Sequence, residues 1–413
     1  MSDTFTGDRT NAISVRFPFF SNPPIIFMKQ LSFSPAWLCL VVFLIASPLM
    51  AEKPEEYTSL REVFSDESLR KDFGIQGEYL YKEGDCVFGL QVVAEGDGKF
   101  RCVAYPGGLP GEGWTRGDAK FSGTAESVSG KDWKRGDGAT ESELSDILRF
   151  TPTGELPPGF QPGEKTLDAK VAITRRDNGQ ENGQGRRRMI EMSITLDGFD
   201  PPVVFKKVRR TSPTLGEKAP EGALVVFDGS NLDQFLPGAK MDETQSRRGA
   251  SRGNTLWAEA ASKPFEKGQA YKMHLEFMLS YMPKARGQGR SNSGVYIDEA
   301  YECQVLDSFG LDGKNNECGG FYTIAEPAVN MCFPPLQWQT YDIDFTPPKF
   351  GADGTKTENA RLTVKQNGVV IHDNIELPKE TPGRKKETDE ARGVYLQGHS
   401  NKVQYRNIWV KYE

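Results

Sequence analysis

Three histidines in 413 residues leave little room for a centre built from several imidazoles, and no cysteine spacing fits a zinc site. Charge of one sign is also lacking. Lys and Arg number 51 against 57 Asp and Glu, giving a formal net charge of −6 with the basic residues scattered. That balance argues against nucleic acid as a partner. The apolar run AWLCLVVFLIA, from Ala36 to Ala46, is too short for a spanning helix of about 20 residues. Glycine at 43, proline at 26 and aromatics at 11% instead suit turn-rich all-β domains.

The length suggests two or three domains. Residues 1–51 read as targeting. Met28-Lys29-Gln30 is a short basic start, Ala36 to Ala46 is an apolar core, and SPLMA offers a cleavage point after Ala51. Residues 1–27 read as an upstream mis-start, with a genuine long n-region as the alternative. The mature chain is expected to be exported, periplasmic or extracellular, with no membrane span once the leader is removed. Cys39 has no small residues before it, which argues against a lipoprotein anchor. In an oxidising compartment Cys318 and Cys332 flank a loop suited to a disulfide, and Cys86 and Cys102 could pair across a hairpin. Cys303 then reads as a small core residue.

Residues 52–210 form a smaller β-rich domain. A short helix is expected near Ser59 to Arg70, followed by GEYLYK, CVFGLQVVAE and KFRCVAY with a Gly96-Asp97-Gly98 turn. PGGLPGEGW reads as an irregular packed loop, and Arg186-Arg187-Arg188 as a solvated charge run. No chemistry is evident in this domain. TSPTLGEKAPE, residues 211–221, is a linker by composition. Residues 222–413 carry about ten short strands with turn signals, the pattern of a β-sandwich or jelly roll.

The chemistry concentrates between Ser291 and Phe345. In YECQVLD, period two places Tyr301, Cys303 and Val305 on one face and Glu302, Gln304 and Leu306 on the other. Asp307 joins the polar set only if the strand ends or bulges there. In GVYLQGH, Gln397 and His399 share a face. Asn292, Asn316 and Tyr322 border these strands and are candidates to contact the hydroxyls of a polar ligand. His274 and Glu276 are expected in solvent or structural roles, His372 as an exposed strand residue, and Trp338 and Trp409 in the core.

FDGSNLDQF, NSGVYI, YECQVLD, NNECGGFY, WQTYDIDF, NGVVIHDNIEL and LQGHSNKVQYRNIWV occur in order from about Gly222 to Glu413. Together they resemble the 3-keto-disaccharide hydrolase domain family. The resemblance implies a concanavalin A-like sandwich of two antiparallel sheets acting on 3-keto-glycosides, as a lyase, a hydratase or a net hydrolase. Such chemistry needs a base for the C2 proton and donors for the enolate. His399, Glu302 and Asp307 are the catalytic candidates. Gln304, Gln397, Asn292, Asn316 and Tyr322 are the substrate-binding ones. Glu302, Asp307 and His399 would also make a ligand set for a divalent ion, although no spacing demands one. Two rival readings remain open. A retaining β-glucanase would need paired carboxylates about 5 to 5.5 Å apart, where this strand offers E-C-Q-V-L-D. A carbohydrate-binding module would use the same fold without a base.

Overall fold

The computed structural model describes residues 53–128, 142–153, 166–177, 188–196, 199, 201–242 and 254–413. The segment read as a leader, with Cys39, and the side chains of the arginine run lie outside them. Among the described residues no helix is long and apolar enough to cross a membrane.

Two short helices precede the first strand, Leu60–Phe64 and Glu67–Ile75. Each begins at a polar cap: Ser59 Oγ accepts from the Glu62 amide, and Asp66 Oδ1 accepts from Leu69 N–H at 2.9 Å. Eight antiparallel strands then close into a barrel in chain order, from Gly77–Glu83 and Cys86–Gly96 round to Arg188–Leu196 and Val203–Val208, which pairs back onto the first. Asp97 takes φ 55° at the turn that follows the Cys86–Gly96 strand, between Gly96 and Gly98. Period two sends Val92, Ala94, Phe100 and Cys102 into the barrel interior. Val93, Val103 and Tyr105 point outward, yet they too are buried, because that face packs on the C-terminal domain. The loop after Lys99–Pro106 is irregular and packed, with Trp114 edge-on to Tyr105 at 5.0 Å.

Residues 222–413 form a sandwich of two antiparallel sheets. One is built on Gln404–Tyr412, Tyr271–Met278, Trp338–Thr346, Ala360–Gln366 and Val369–Leu377, with Leu224–Phe227 at the Gln404–Tyr412 strand. The other has four strands, Ala260–Ala261, Tyr395–Leu396, Ser293–Ile297 and Tyr301–Val305. Met273, Leu275 and Phe277 meet Val295, Ile297, Cys303 and Val305 between them, all at most 1% exposed. The chain is therefore all-β, with a sandwich preceded by a smaller β-rich domain.

The linker does not hang free. Ser212 and Thr214 hydrogen-bond Thr340 and Asp342, and Gly216 N–H donates to Glu276 Oε1 at 2.6 Å. This segment covers the outer face of the Tyr271–Met278 strand, so His274 and Glu276 are fully buried. His274 Nδ1 lies 2.6 Å from Asp342, its ring stacks on Trp409 at 5.3 Å, and Arg406 Nε reaches Glu276 at 2.6 Å. Burial alone would lower the His274 pKa, but Asp342 and Glu276 outweigh it and raise it to about 9. Trp409 is 8% exposed, whereas Trp338 is half-buried beneath the Arg406 guanidinium. The expectation for His372 is corrected: it is 3% exposed, because Nε2 meets Gly319 O at 2.7 Å and the ring abuts Phe321.

The disulfide expectations are also corrected. All five described cysteines are free thiols. Cys102 lies opposite Val92 in the strand register, whereas Cys86 sits at the far end of that strand opposite Glu83, so the two cannot meet across the hairpin. Cys318 and Cys332 are neighbours in side-chain hydrogen-bond contact but are not joined, with Cys318 Sγ also 3.2 Å from the Tyr341 hydroxyl and Cys332 Sγ 3.4 Å from the Leu306 carbonyl.

Candidate active site

A cleft of about 300 Å³ lies over the four-stranded sheet. Its lining includes Asn292, Glu302, Gln304, Asn316, Tyr322, Gln397 and His399, seven positions taken from four separate sequence motifs. Local geometry explains the first group. Ser293–Ile297 pairs with Tyr301–Val305 so that Gly294 faces Gln304 and Tyr296 faces Glu302. Alternation turns these four to the cleft and Val295, Cys303 and Val305 to the core. Gln397 and His399 follow the Tyr395–Leu396 strand, and the Gln397 amide donates to Gly294 O at 2.8 Å.

Glu302 is the one carboxylate among the lining residues, and it is 5% exposed. Its side chain lies across Gly294: a Cβ there would sit 2.2 Å from Glu302 Oε1, so only glycine leaves room for the carboxyl group. The Glu302 amide donates to Thr381 Oγ1 at 2.7 Å, which ties a loop from another part of the chain over the strand. Burial raises the Glu302 pKa to about 7, against the Tyr296 hydrogen bond, which lowers it. The Tyr296 hydroxyl stands 3.0 Å from Glu302 Oε2 and 3.1 Å from the Pro382 carbonyl, and it accepts from Gln397 Nε2 at 3.3 Å. Burial and the neighbouring carboxylate both push its own ionisation far up, so it stays a neutral donor. Gly383, at φ 106°, lets the covering loop pass within reach of that hydroxyl.

The opposite wall is a ladder of amides. Gln304 Nε2 donates to Asn292 Oδ1 at 2.9 Å, Asn292 Nδ2 to the Gln288 carbonyl at 2.9 Å, and Gln288 Nε2 to the Asn316 carbonyl at 2.7 Å. Interlocked amides hold fixed donor and acceptor directions, which is what recognising the hydroxyls of a sugar requires. His399 and Tyr322 form the exposed part of the rim, Tyr322 at 42% exposure.

Asp307 is corrected from an edge position to a structural one. The strand ends at Val305, and the chain turns Asp307 into the interior, where Oδ2 accepts from Arg290 Nε at 2.7 Å. Arg290 continues to the Ala94 carbonyl of the barrel at 3.2 Å, so the pair fastens the two domains together. Glu302, Asp307 and His399 therefore do not assemble as an ion site. Among the described residues, the grouping dense enough to hold an ion is Glu217, His274 and Asp342, on the linker side. With Asp307 withdrawn, the described residues lining the cleft also lack the second carboxylate of a retaining glucanase.

Sequence reasoning missed Tyr296 and Gln288. Tyr296 was within reach, since period two from Gly294 puts it on the same face and cross-strand from Glu302. Gln288 lies in a single 3₁₀ turn, Gly287–Gly289, with no periodicity to reveal it.

Residues 222–411 match the family model described as 3-keto-alpha-glucoside-1,2-lyase-like domain. No curated protein matches the chain. Two crystal structures from Parabacteroides distasonis, each described as a "putative glycosyl hydrolase", are similar to it. One has 27% identity and a TM-score of 0.40, over 47% of this chain and 85% of that one. The other has 14% identity and a TM-score of 0.25, over 49% and 93%.

Proposed function

We infer that this chain, whose residues 222–411 carry a 3-keto-glucoside lyase-like domain, is an exported carbohydrate-active enzyme that cleaves or hydrates 3-keto-glycosides. The observation that carries this reading is Glu302: a buried carboxyl with a pKa near 7, aimed into a cleft walled by amides. A base poised near the working pH is what removal of a ketone-activated proton needs.

In this mechanism the Glu302 carboxylate takes the proton from C2. The C–H electron pair forms the C2–C3 enolate, which then collapses to break the C1–O bond. The departing oxygen takes a proton from His399 at the rim, leaving a 2-hydroxy-glucal that is still a ketone at C3. Adding water at C1 and returning the proton to C2 completes a net hydrolysis. Tyr296 donates a hydrogen bond beside the base, and Gln304, Asn292 and Gln397 hold hydroxyls. Export rests on the leader between Met28 and Ala51.

The test is incubation of the mature protein with 3-keto-glucosides in deuterium oxide, followed by mass spectrometry. Deuterium at C2 of recovered substrate, together with the glucal or free 3-keto-sugar, supports the mechanism. Unchanged substrate without exchange refutes it. A non-catalytic sugar-binding cleft is the second reading, favoured by the exposed Tyr322 ring. Saturable binding without exchange would put that reading ahead.

A further inference from the structure

The barrel contains a cavity of about 260 Å³ that the sugar chemistry leaves unused. Folded interiors rarely hold voids much larger than a water molecule, so a space of this size needs a reason. Phe88, Phe121, Phe150 and Phe205 form its walls. The space comes from small side chains at inward positions: Ala104, Ala125 and Ala169, one on each of three different strands. Polar atoms are scarce in the lining. Ser122 contributes a hydroxyl, and the Cys102 thiol is pushed up to about 12 by burial, so it carries no charge. A cavity so lined favours apolar guests.

Among the described residues, access is from one end. Cys86, Phe121, Leu167 and Val203 each begin a strand, Leu196 ends one, and all line the cavity at that rim. The opposite end is closed by the two helices, whose Val63 and Ile75 are at most 1% exposed, together with Tyr281 and Leu336 of the sandwich. An eight-stranded barrel is just wide enough to hold one small ligand along its axis.

We propose that the N-terminal barrel is a binding site for a single alkyl chain, entering at the Cys86–Val203 rim and reaching the Ala125–Ala169 level. Size sets the guest. A 150 Å³ apolar cavity accommodates benzene, so 260 Å³ suits a chain of about ten carbons. The Glu83 carboxylate, held by the Tyr81 hydroxyl at 2.6 Å beside the mouth, disfavours an anionic head. An uncharged head is therefore assigned.

The experiment is calorimetric or native mass-spectrometric titration of the mature full chain with 1-decanol. One equivalent should bind saturably, and each methylene removed in the series down to 1-hexanol should weaken binding about fourfold. Ala169→Phe and, separately, Ala125→Phe fill the space and should weaken 1-decanol binding at least tenfold, with far-UV circular dichroism confirming that each variant is folded. If one filled variant fails to fold, the other and the chain-length series still decide. Absence of saturable binding, a flat chain-length series, or a folded filled variant that binds as well as the wild type would overturn the proposal.

Discussion

Replacing Glu302 with Gln should make the protein more stable while abolishing most of its activity. The carboxyl group is buried, and its pKa stands at about 7 where an ordinary glutamate has 4.5. Between those two values the folded state holds a proton that the unfolded chain has released. Stability therefore falls as pH rises from 4.5 to 7 and is flat above that. The gap corresponds to about 3 kcal/mol. Gln has nearly the same shape and no charge, so the variant escapes this cost at pH 8, while at pH 4.5 it differs little from a protonated Glu. Thermal melts of mature wild type and Glu302→Gln should show the variant melting a few degrees higher at pH 8 and nearly level at pH 5. Taking the difference between the two proteins cancels other titrations, such as that of His274. Turnover of a 3-keto-glucoside should fall by about 10² to 10⁴. A variant that melts at or below the wild type at pH 8 would refute the account of Glu302 as a strained, desolvated base.

His399→Ala should lower turnover by about 10²-fold and leave melting unchanged, because His399 is exposed at the rim; activity assays and melts decide it. Gly294→Ala would drive a methyl group into Glu302 Oε1, so it should cost about 1 to 3 kcal/mol and disturb the base as well. Denaturation curves and turnover should fall together in that variant. Asp307→Ala leaves Arg290 buried without its partner and should cost about 3 to 5 kcal/mol, read by chemical denaturation. Thiol titration of native mature protein should find one reactive cysteine, Cys86, and five after unfolding, with no change on prior reduction.

Strand alternation is a local property, and it was legible. Period two alone put Glu302 and Gln304 on one face and Cys303 and Val305 on the other, and the sheet keeps that division. The resemblance of the ordered motifs to a sandwich family carried the C-terminal architecture, and glycine-rich turns such as Gly96-Asp97-Gly98 marked the hairpins. Burial, by contrast, depends on what another part of the chain lays over a face. Solvent and structural roles stayed open for His274 and Glu276 until the linker covered them, and His372 looked exposed until the Gly319–Phe321 turn packed against it. Glu302 acquires its raised pKa from burial in the folded chain, where the Thr381–Gly383 loop, distant in sequence, is tied to its backbone amide. Asp307 was lost to the cleft because Arg290 claims it, a partner that no periodicity indicates. Closure of eight strands into a barrel is likewise a pairing of the first strand with the last. Its cavity exists because alanines on neighbouring and next-neighbouring strands gather along one side of the wall, a grouping in space with no counterpart along the chain.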